Sequence, residues 1–240
     1  MEPYLQKSLC IFASELSGLV GRNRFVSIPE AIEKLVCRIQ GRPTQAQQFE
    51  MTLSPAQKKI VYMNVDNTRS AKDVDENLKA ISDSIEVLDV PSSQKQALWA
   101  CAERVQKTEF GTRNEIKVRS STEAKRKIGI IKDDRFHKRL FFSANDTKVY
   151  VGGRFDGVYQ EDGEKVVVEI KSRVKKLFGT VPEYEQVQLC AYMFILDARK
   201  GLLVERFCDQ QNELRCDFDP ELWYRIESEL KETLLKHEIV

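Results

Sequence analysis

Apolar positions recur at two different periods along the chain. Between Val151 and Lys171 (VGGRFDGVYQEDGEKVVVEIK) two runs rich in β-branched and aromatic residues flank a polar turn containing Asp162-Gly163, which predicts a β-hairpin. In its second run Val166, Val168 and Ile170 share one face, and Val167, Glu169 and Lys171 share the other. The preceding RLFFSANDTKVYVGGRFDG predicts another hairpin, turning through Ala144-Asn145-Asp146. LLVERFCD predicts a later strand near a sheet edge.

Elsewhere the period is helical. Ser14 caps a short SELSGLVG segment that stops at Gly21. Ile32, Leu35, Val36 and Ile39 form a stripe behind Ser27-Ile28-Pro29. From Arg42 to Val90 the pattern stays helical: Ser54-Pro55 opens one segment, and Val74, Leu78, Ile81, Ile85 and Leu88 repeat in another. Residues 42–90 carry no visible chemistry and predict a helical subregion, packed on the core or inserted to shape a substrate channel. After Pro91-Ser92-Ser93 a long helix is expected to bury Leu98, Cys101, Val105, Thr108, Thr112 and Glu115. Gly111 on that helix would permit close approach of another backbone. EYEQVQLCAYMFILDARK predicts a helix with Tyr184, Gln188 and Tyr192 in line. Asp219-Pro220 caps a final helix whose buried face is Leu222, Ile226, Leu230 and Leu234.

A chain of 240 residues that is 42% hydrophobic and 31% charged fits one globular domain, 1–240, with a sizeable core. No apolar stretch is long enough to span a bilayer, and MEPYLQKSLCIF lacks a cleavable signal layout, so an intracellular location is expected, cytoplasm or nucleus, in a host cell if the source is viral. The six cysteines are scattered without a C-x-x-C pair, and there are two histidines. Reduced core thiols are expected, and zinc, iron–sulfur and histidine-built metal sites are disfavoured. The net charge of +1 hides a basic middle from Arg113 to Arg139, with Arg173, Lys175 and Lys176 further on. Such a stretch suits a polyanion surface or is simply a solvated face.

The sharpest chemistry lies on the central hairpin. Asp156, Glu169 and Lys171 at the ends of paired strands suit a hard divalent cation, with an ammonium left to meet a phosphate or a water. A surface ion pair is the plain alternative for Glu169 and Lys171. Glu115, carried onto a buried stripe, needs a divalent ion, a water bound to one, or an arginine. Gln188 is polar within an apolar helix, for a backbone hydrogen bond or for the site.

Taken in order, Ile11-Phe12-Ala13-Ser14-Glu15, then Gly111-Thr112-Arg113-Asn114-Glu115, then Asp156-Gly157, then Glu169-Ile170-Lys171, then Gln186-Val187-Gln188 with Tyr192, resemble the motif series of the PD-(D/E)xK nuclease superfamily. The resemblance is to its phage lambda exonuclease and YqaJ-like viral recombinase branch, close to the RecB-like nucleases, and covers about Lys7 to Ile195. It implies an α/β (α+β) fold with a restriction-endonuclease-like core, a central mixed sheet flanked by helices and an N-terminal helical subregion. It implies a metal-dependent DNA exonuclease, 5′ to 3′ on linear duplex ends, in recombination, repair or viral genome processing. A structure-specific endonuclease of the same fold and a non-catalytic nucleic-acid-binding recombination partner are the alternatives. One or two Mg²⁺ or Mn²⁺ ions would be held by Asp156, Glu169, the Ile170 carbonyl and Glu115. Lys171 would position the attacking water, Gln188 would orient Lys171 or that water, and Tyr192 would pack behind. Lys7, standing where the family often has an arginine, and Ser14 would meet a terminal phosphate. Arg22, Arg24, Arg113, Arg173, Lys175 and Lys176 would hold the backbone without reading bases. A single-strand annealing protein and further copies of the chain complete the implied partners.

Overall fold

Burial of Leu9 and Ile11 on alternate positions makes a strand of Lys7–Phe12 (β1), which pairs in parallel with Thr147–Gly153 (β3). The structure, a computed structural model, describes residues 7–240, so the reading of the extreme N-terminus lies outside the described residues. His137–Ala144 (β2) turns through Asn145, at φ 49°, into β3, and the three strands order as β1-β3-β2. A second sheet contains Gly157–Glu161 (β4), Glu164–Ser172 (β5), Lys200–Phe207 (β6) and Gln210–Asp217 (β7), in that order. The β4–β5 hairpin turns at Asp162 (φ 53°) and Gly163 (φ 81°), a pair of positive φ values that matches the twist of the strands it joins. β5 and β6 run parallel, joined by the helix Glu183–Leu196 (α7).

The expected mixed α/β core is therefore present, with its sheet resolved into two mixed sheets. They part at residues 154–156. There Phe155 turns into the core at 5% exposure and Asp156 turns toward β5. Gly157 has to follow, because a Cβ at that position would collide with the Ile130 side chain. β6 lies next to the sheet edge, as expected, and the edge itself is β7.

One face of the sheets carries Val149, Val151 and Val167. They pack on Ala13–Leu19 (α1), α7 and Pro220–Lys236 (α8), the last capped as expected by Asp219, which accepts from the Glu221 and Leu222 amides at 2.9 and 3.0 Å. Val166, Val168 and Ile170 face the opposite way, onto Val118 of a long helix, Ser92–Arg126 (α6). The alternation assigned to β5 is thus the alternation observed.

Between Ile28–Ile39 (α2) and α6 lies the helical subregion. It is formed by Gln45–Thr52 (α3), Pro55–Val61 (α4), a short 3-10 turn at Val65–Asn67 and Ala71–Glu86 (α5). Leu53, Val61, Ile81 and Ile85 make a core of their own against Leu98, Cys101 and Val105 of α6.

Two helical details differ from expectation. α1 begins at Ala13 with Phe12 in the cap position, so Ser14 is an exposed residue of the first turn, and Glu15 accepts from the Phe12 amide instead. On α6 the buried stripe after Val105 continues through Gln106, Phe110, Asn114, Val118 and Thr122, leaving Thr108 and Thr112 exposed. Four residues turn about 400° on a helix of 3.6 residues per turn, so repeated spacing by four drifts forward around it, and the stripe follows that drift across the β5–β6 surface. Three cysteines are buried, Cys37, Cys101 and Cys190; Cys208 is exposed, and all six are free thiols. Among the described residues no helix is long and apolar enough to cross a membrane.

Candidate active site

β5 presents Glu169 and Lys171 toward α7, and burial decides how they pair. Glu169 is 4% exposed, and Lys171 Nζ donates to its Oε1 at 2.5 Å and to Gln188 Oε1 at 3.3 Å. Gln188 Nε2 in turn donates to the Tyr192 hydroxyl at 3.2 Å. The ring reaches this position because Gly153 has no side chain: a Cβ there would lie 2.8 Å from Tyr192 Cε1. Gln188 therefore serves the site rather than a backbone group.

Asp156 arrives from the break between the sheets. Its Oδ2 accepts the Ile170 N–H at 2.7 Å, and its main-chain carbonyl accepts from Arg119 Nη1 at 3.2 Å. Glu115, one helical turn before Arg119, has that guanidinium at 3.7 Å and Lys132 Nζ at 3.4 Å. Its Oε1 is buried without a hydrogen-bond partner. Burial, then the Glu169 charge and more weakly Glu115, push the Asp156 carboxyl well above the usual carboxylate range, against the pull of the Ile170 amide. For Lys171 burial works against the charge. The Glu169 carboxylate more than offsets it, with help from Glu185 and Asp156, so the ammonium titrates above its ordinary 10.5 and is protonated at neutral pH.

As placed, no three Asp, Glu, His or Cys side chains among the described residues form a ready-made cage for an ion. Lys171 occupies Glu169 Oε1, and Glu115 leans on Arg119 and Lys132. The chemistry of the set nevertheless fits a hard cation. Two carboxylates repel each other across a desolvated space, and a buried carboxylate oxygen of a third, though 3.4 and 3.7 Å from two cations, accepts no hydrogen bond. Asp156, Glu169 and Glu115 are the groups that would hold it, with the Ile170 carbonyl as the main-chain contribution.

A consequence follows for stability. An unfolded aspartate ionises near 3.8, whereas folding holds the Asp156 proton to higher pH. The ionised carboxylate thus costs stability, starting as pH rises past the unfolded value and in full above the folded one. In EDTA at neutral pH, Asp156→Asn is expected to melt higher than wild type, by about 2–4 °C for each kcal/mol relieved. The gain should shrink as pH falls toward 3.8. Saturating Mn²⁺ should reverse the order. A wild type that melts higher in EDTA would show that the acids do not strain one another.

The residues expected to grip DNA are not all free to do so. Arg22 donates to Glu229 at 2.8 Å through Nε and to Glu183 at 2.7 Å through Nη1, tying α1's exit to α8 and α7. Arg113 is held by the Val65 carbonyl and Asp66. Arg173 makes a two-pronged pair with Glu185, both contacts 2.6 Å, and a third bond to Glu205 at 2.8 Å. These three are structural ties. The basic middle is likewise largely spent on pairs, Arg126 with Glu213, Arg135 with Asp133 and Arg139 with Asp197 among them. Arg24 stays exposed, its guanidinium 4.7 Å from the Phe25 ring centroid. It shares a cleft of about 570 Å³ with Lys176, Phe178 and Tyr184. Lys175 is exposed beside it, and Lys7 and Ser14 are exposed on β1 and α1. Arg119 and Lys132 were not singled out from the sequence, although Arg119 stands four residues after Glu115 on the same helix, the spacing of an ion pair.

The fold has a solved counterpart. LHK-Exo, in a structure described as a complex with dAMP, superposes with a TM-score of 0.50 at 14% identity, over 95% of this chain and 88% of that one. The chain has the fold of LHK-Exo. Another structure of LHK-Exo, described as an alkaline exonuclease from Laribacter hongkongensis, has 17% identity and a TM-score of 0.42 over 66% of this chain and 86% of that one. A phage-related exonuclease from Haemophilus somnus 129PT has 10% identity and a TM-score of 0.45 over 97% of each chain. No family model matches the sequence, and no curated protein does at a significant level. At the level of fold, the restriction-endonuclease-like architecture inferred from the motif series is the architecture found.

Proposed function

We propose that this protein is a metal-dependent deoxyribonuclease that hydrolyses phosphodiester bonds from the ends of linear duplex DNA, in the 5′-to-3′ direction. The observation that carries the reading is the convergence of Asp156, Glu169, Glu115, Lys171, Gln188 and Tyr192 from four separate stretches of chain. Two supports stand beside it: the motif series, and a fold shared with LHK-Exo, described as an alkaline exonuclease. One or two bound Mg²⁺ or Mn²⁺ ions would neutralise the scissile phosphate and lower the pKa of a water.

The chain's own residues supply the rest. Lys171, protonated and held between Glu169 and Gln188, is a donor suited to position a water and to offset phosphate charge, and is unsuited to remove a proton. Gln188, fixed at its other end by Tyr192, sets where the ammonium points. Asp156 is locked by the Ile170 amide, so its carboxylate is oriented before any ligand arrives. Arg24 and Lys176 would meet backbone phosphates without reading bases.

The test is a product ladder from 5′-labelled and 3′-labelled linear duplex beside closed circular DNA, all with Mg²⁺. Mononucleotides released from the 5′ end, with circles intact, are expected. Circles cut as fast as linear DNA would indicate an endonuclease of the same fold. Binding of DNA without any cleavage would indicate a non-catalytic recombination partner.

A further inference from the structure

A second pocket, of about 120 Å³, opens beside the active site and plays no part in the chemistry above. Arg69, Ser70, Phe110, Asn114, Lys117, Ser172, Arg206 and Asp209 line it. Its cations come from three separate elements: Arg69 before α5, Lys117 on α6 and Arg206 on β6. Among the described residues no side-chain nitrogen of the three lies within 4.0 Å of a carboxylate, although the Arg69 amide donates to Asp73. The Arg206 side chain makes a single hydrogen bond, from Nε to the Cys208 carbonyl at 3.1 Å. In a chain whose other arginines are mostly spent on ion pairs, convergence of three cations without a direct ion pair, against Asp209 in the lining and Asp73 behind Arg69, leaves a net positive charge that an anion would satisfy.

The pocket also holds a donor without a partner. Ser172 Oγ is buried and makes no hydrogen bond, a state that costs free energy until an acceptor arrives. Beside it Asn114, 8% exposed, is fixed by its own bond to the Phe110 carbonyl at 2.9 Å. The α5 end is not the donor, since the Asp73 carboxylate takes the Arg69 and Ser70 amides at 2.7 and 2.8 Å. The space is large enough for one tetrahedral oxyanion with its water.

Its position selects the source of that oxyanion. Ser172 directly follows Lys171 on β5, and Asn114 directly precedes Glu115 on α6. Ser172 ends β5 and turns to the α6 side, whereas Lys171 turns to the α7 side, so a nucleic-acid strand that crosses Glu115 and Lys171 and rounds the end of β5 brings a neighbouring phosphate to the pocket. We propose that this pocket is a subsite for one non-scissile backbone phosphate of the bound nucleic acid, held by Arg69, Lys117, Arg206 and the Ser172 hydroxyl. The assignment rests on the nuclease reading for its substrate.

The test compares wild type with Arg69→Ala/Lys117→Ala/Arg206→Ala. A labelled duplex with a single-stranded tail serves as probe, in EDTA, across a salt series. Affinity for the duplex should fall at least tenfold, and the slope of log K against log salt should flatten by about 0.9 for the one phosphate lost. With Mg²⁺, KM should rise while kcat stays within about twofold of wild type, since the cations touch no reacting atom. Ser172→Ala should weaken binding in the same direction without touching net charge. Unaltered affinity and slope in a variant that melts like wild type would overturn the subsite. So would inorganic phosphate that raises the wild-type melting temperature while DNA affinity is unaffected by the substitutions, which would mark a free-anion site. Reduced affinity in a chain that never cleaves DNA would leave the subsite standing and remove the nuclease reading. Cleavage with unchanged KM and slope would do the opposite.

Discussion

Lys171→Ala is expected to lower the rate of duplex hydrolysis by at least about 10³-fold, the scale on which a preorganised donor at a reacting centre acts. The ammonium is held at 2.5 Å from Glu169 and 3.3 Å from Gln188, so its position is set before substrate binds. Removing it leaves the acids in place but takes away the charge that faces the phosphate. Affinity for DNA should change little, because the exposed cations Arg24, Lys175 and Lys176 lie outside the catalytic cluster. Single-turnover cleavage beside fluorescence anisotropy separates the two effects. Gln188→Ala should cost less, since Glu169 still holds the ammonium. A Lys171→Ala enzyme that turns over like wild type would remove this side chain from the mechanism.

The second large effect concerns stability. Arg173 is enclosed by Glu185, 3% exposed, and Glu205, fully buried, and its guanidinium stacks 4.2 Å from the Phe178 ring centroid. Glu205 stands opposite Lys171 in the β5–β6 register and also accepts the Phe178 and Gly179 amides at 3.2 Å. One arginine thus ties α7, β6 and the loop after β5 together. Arg173→Met strands two buried carboxylates, and breaking a buried network from one side costs about 3–5 kcal/mol. That corresponds to a fall in melting temperature of about 6–20 °C for a domain of this size. Adding Glu185→Gln and Glu205→Gln should recover part of the loss, because the charges left unpaired are then gone. Thermal unfolding of the single and triple variants measures both. A single variant within about 2 °C of wild type would mean that the network carries no load.

β5 was legible because its two faces are chemically unlike. Val166, Val168 and Ile170 are a core face under α6, and Glu169 and Lys171 could only share the other. A period of two leaves no third choice. The hairpin turn was legible because Asp162-Gly163 supplies the two positive φ values its geometry demands. β7 was not legible. It is an edge strand, QQNELRCD, with no fully buried residue, so no alternation of apolar and polar positions marks it. Helix α6 was placed correctly as an element, but its buried stripe was extended by the wrong drift. Only the sheet it crosses decides that Asn114 and Val118, rather than Thr108 and Thr112, turn inward.

Charge was the least legible property. A run of arginines and lysines reads alike whether solvated, paired or aimed at a phosphate. Arg22, Arg113 and Arg173 find carboxylates 47 to 207 residues distant or only 12 away, separations that no local pattern encodes. The same physics makes Arg69, Lys117 and Arg206 informative, since the fold brings them together and, among the described residues, gives none of their side chains an ion pair.

Calorimetric titration of the protein with Mn²⁺, wild type against Asp156→Asn and Glu169→Gln, bears most directly on the claim that these acids share a divalent ion. Saturable binding by wild type that is lost or weakened at least tenfold in both variants is the predicted result. Equal Mn²⁺ binding in all three proteins, or none in wild type with DNA bound, would contradict it.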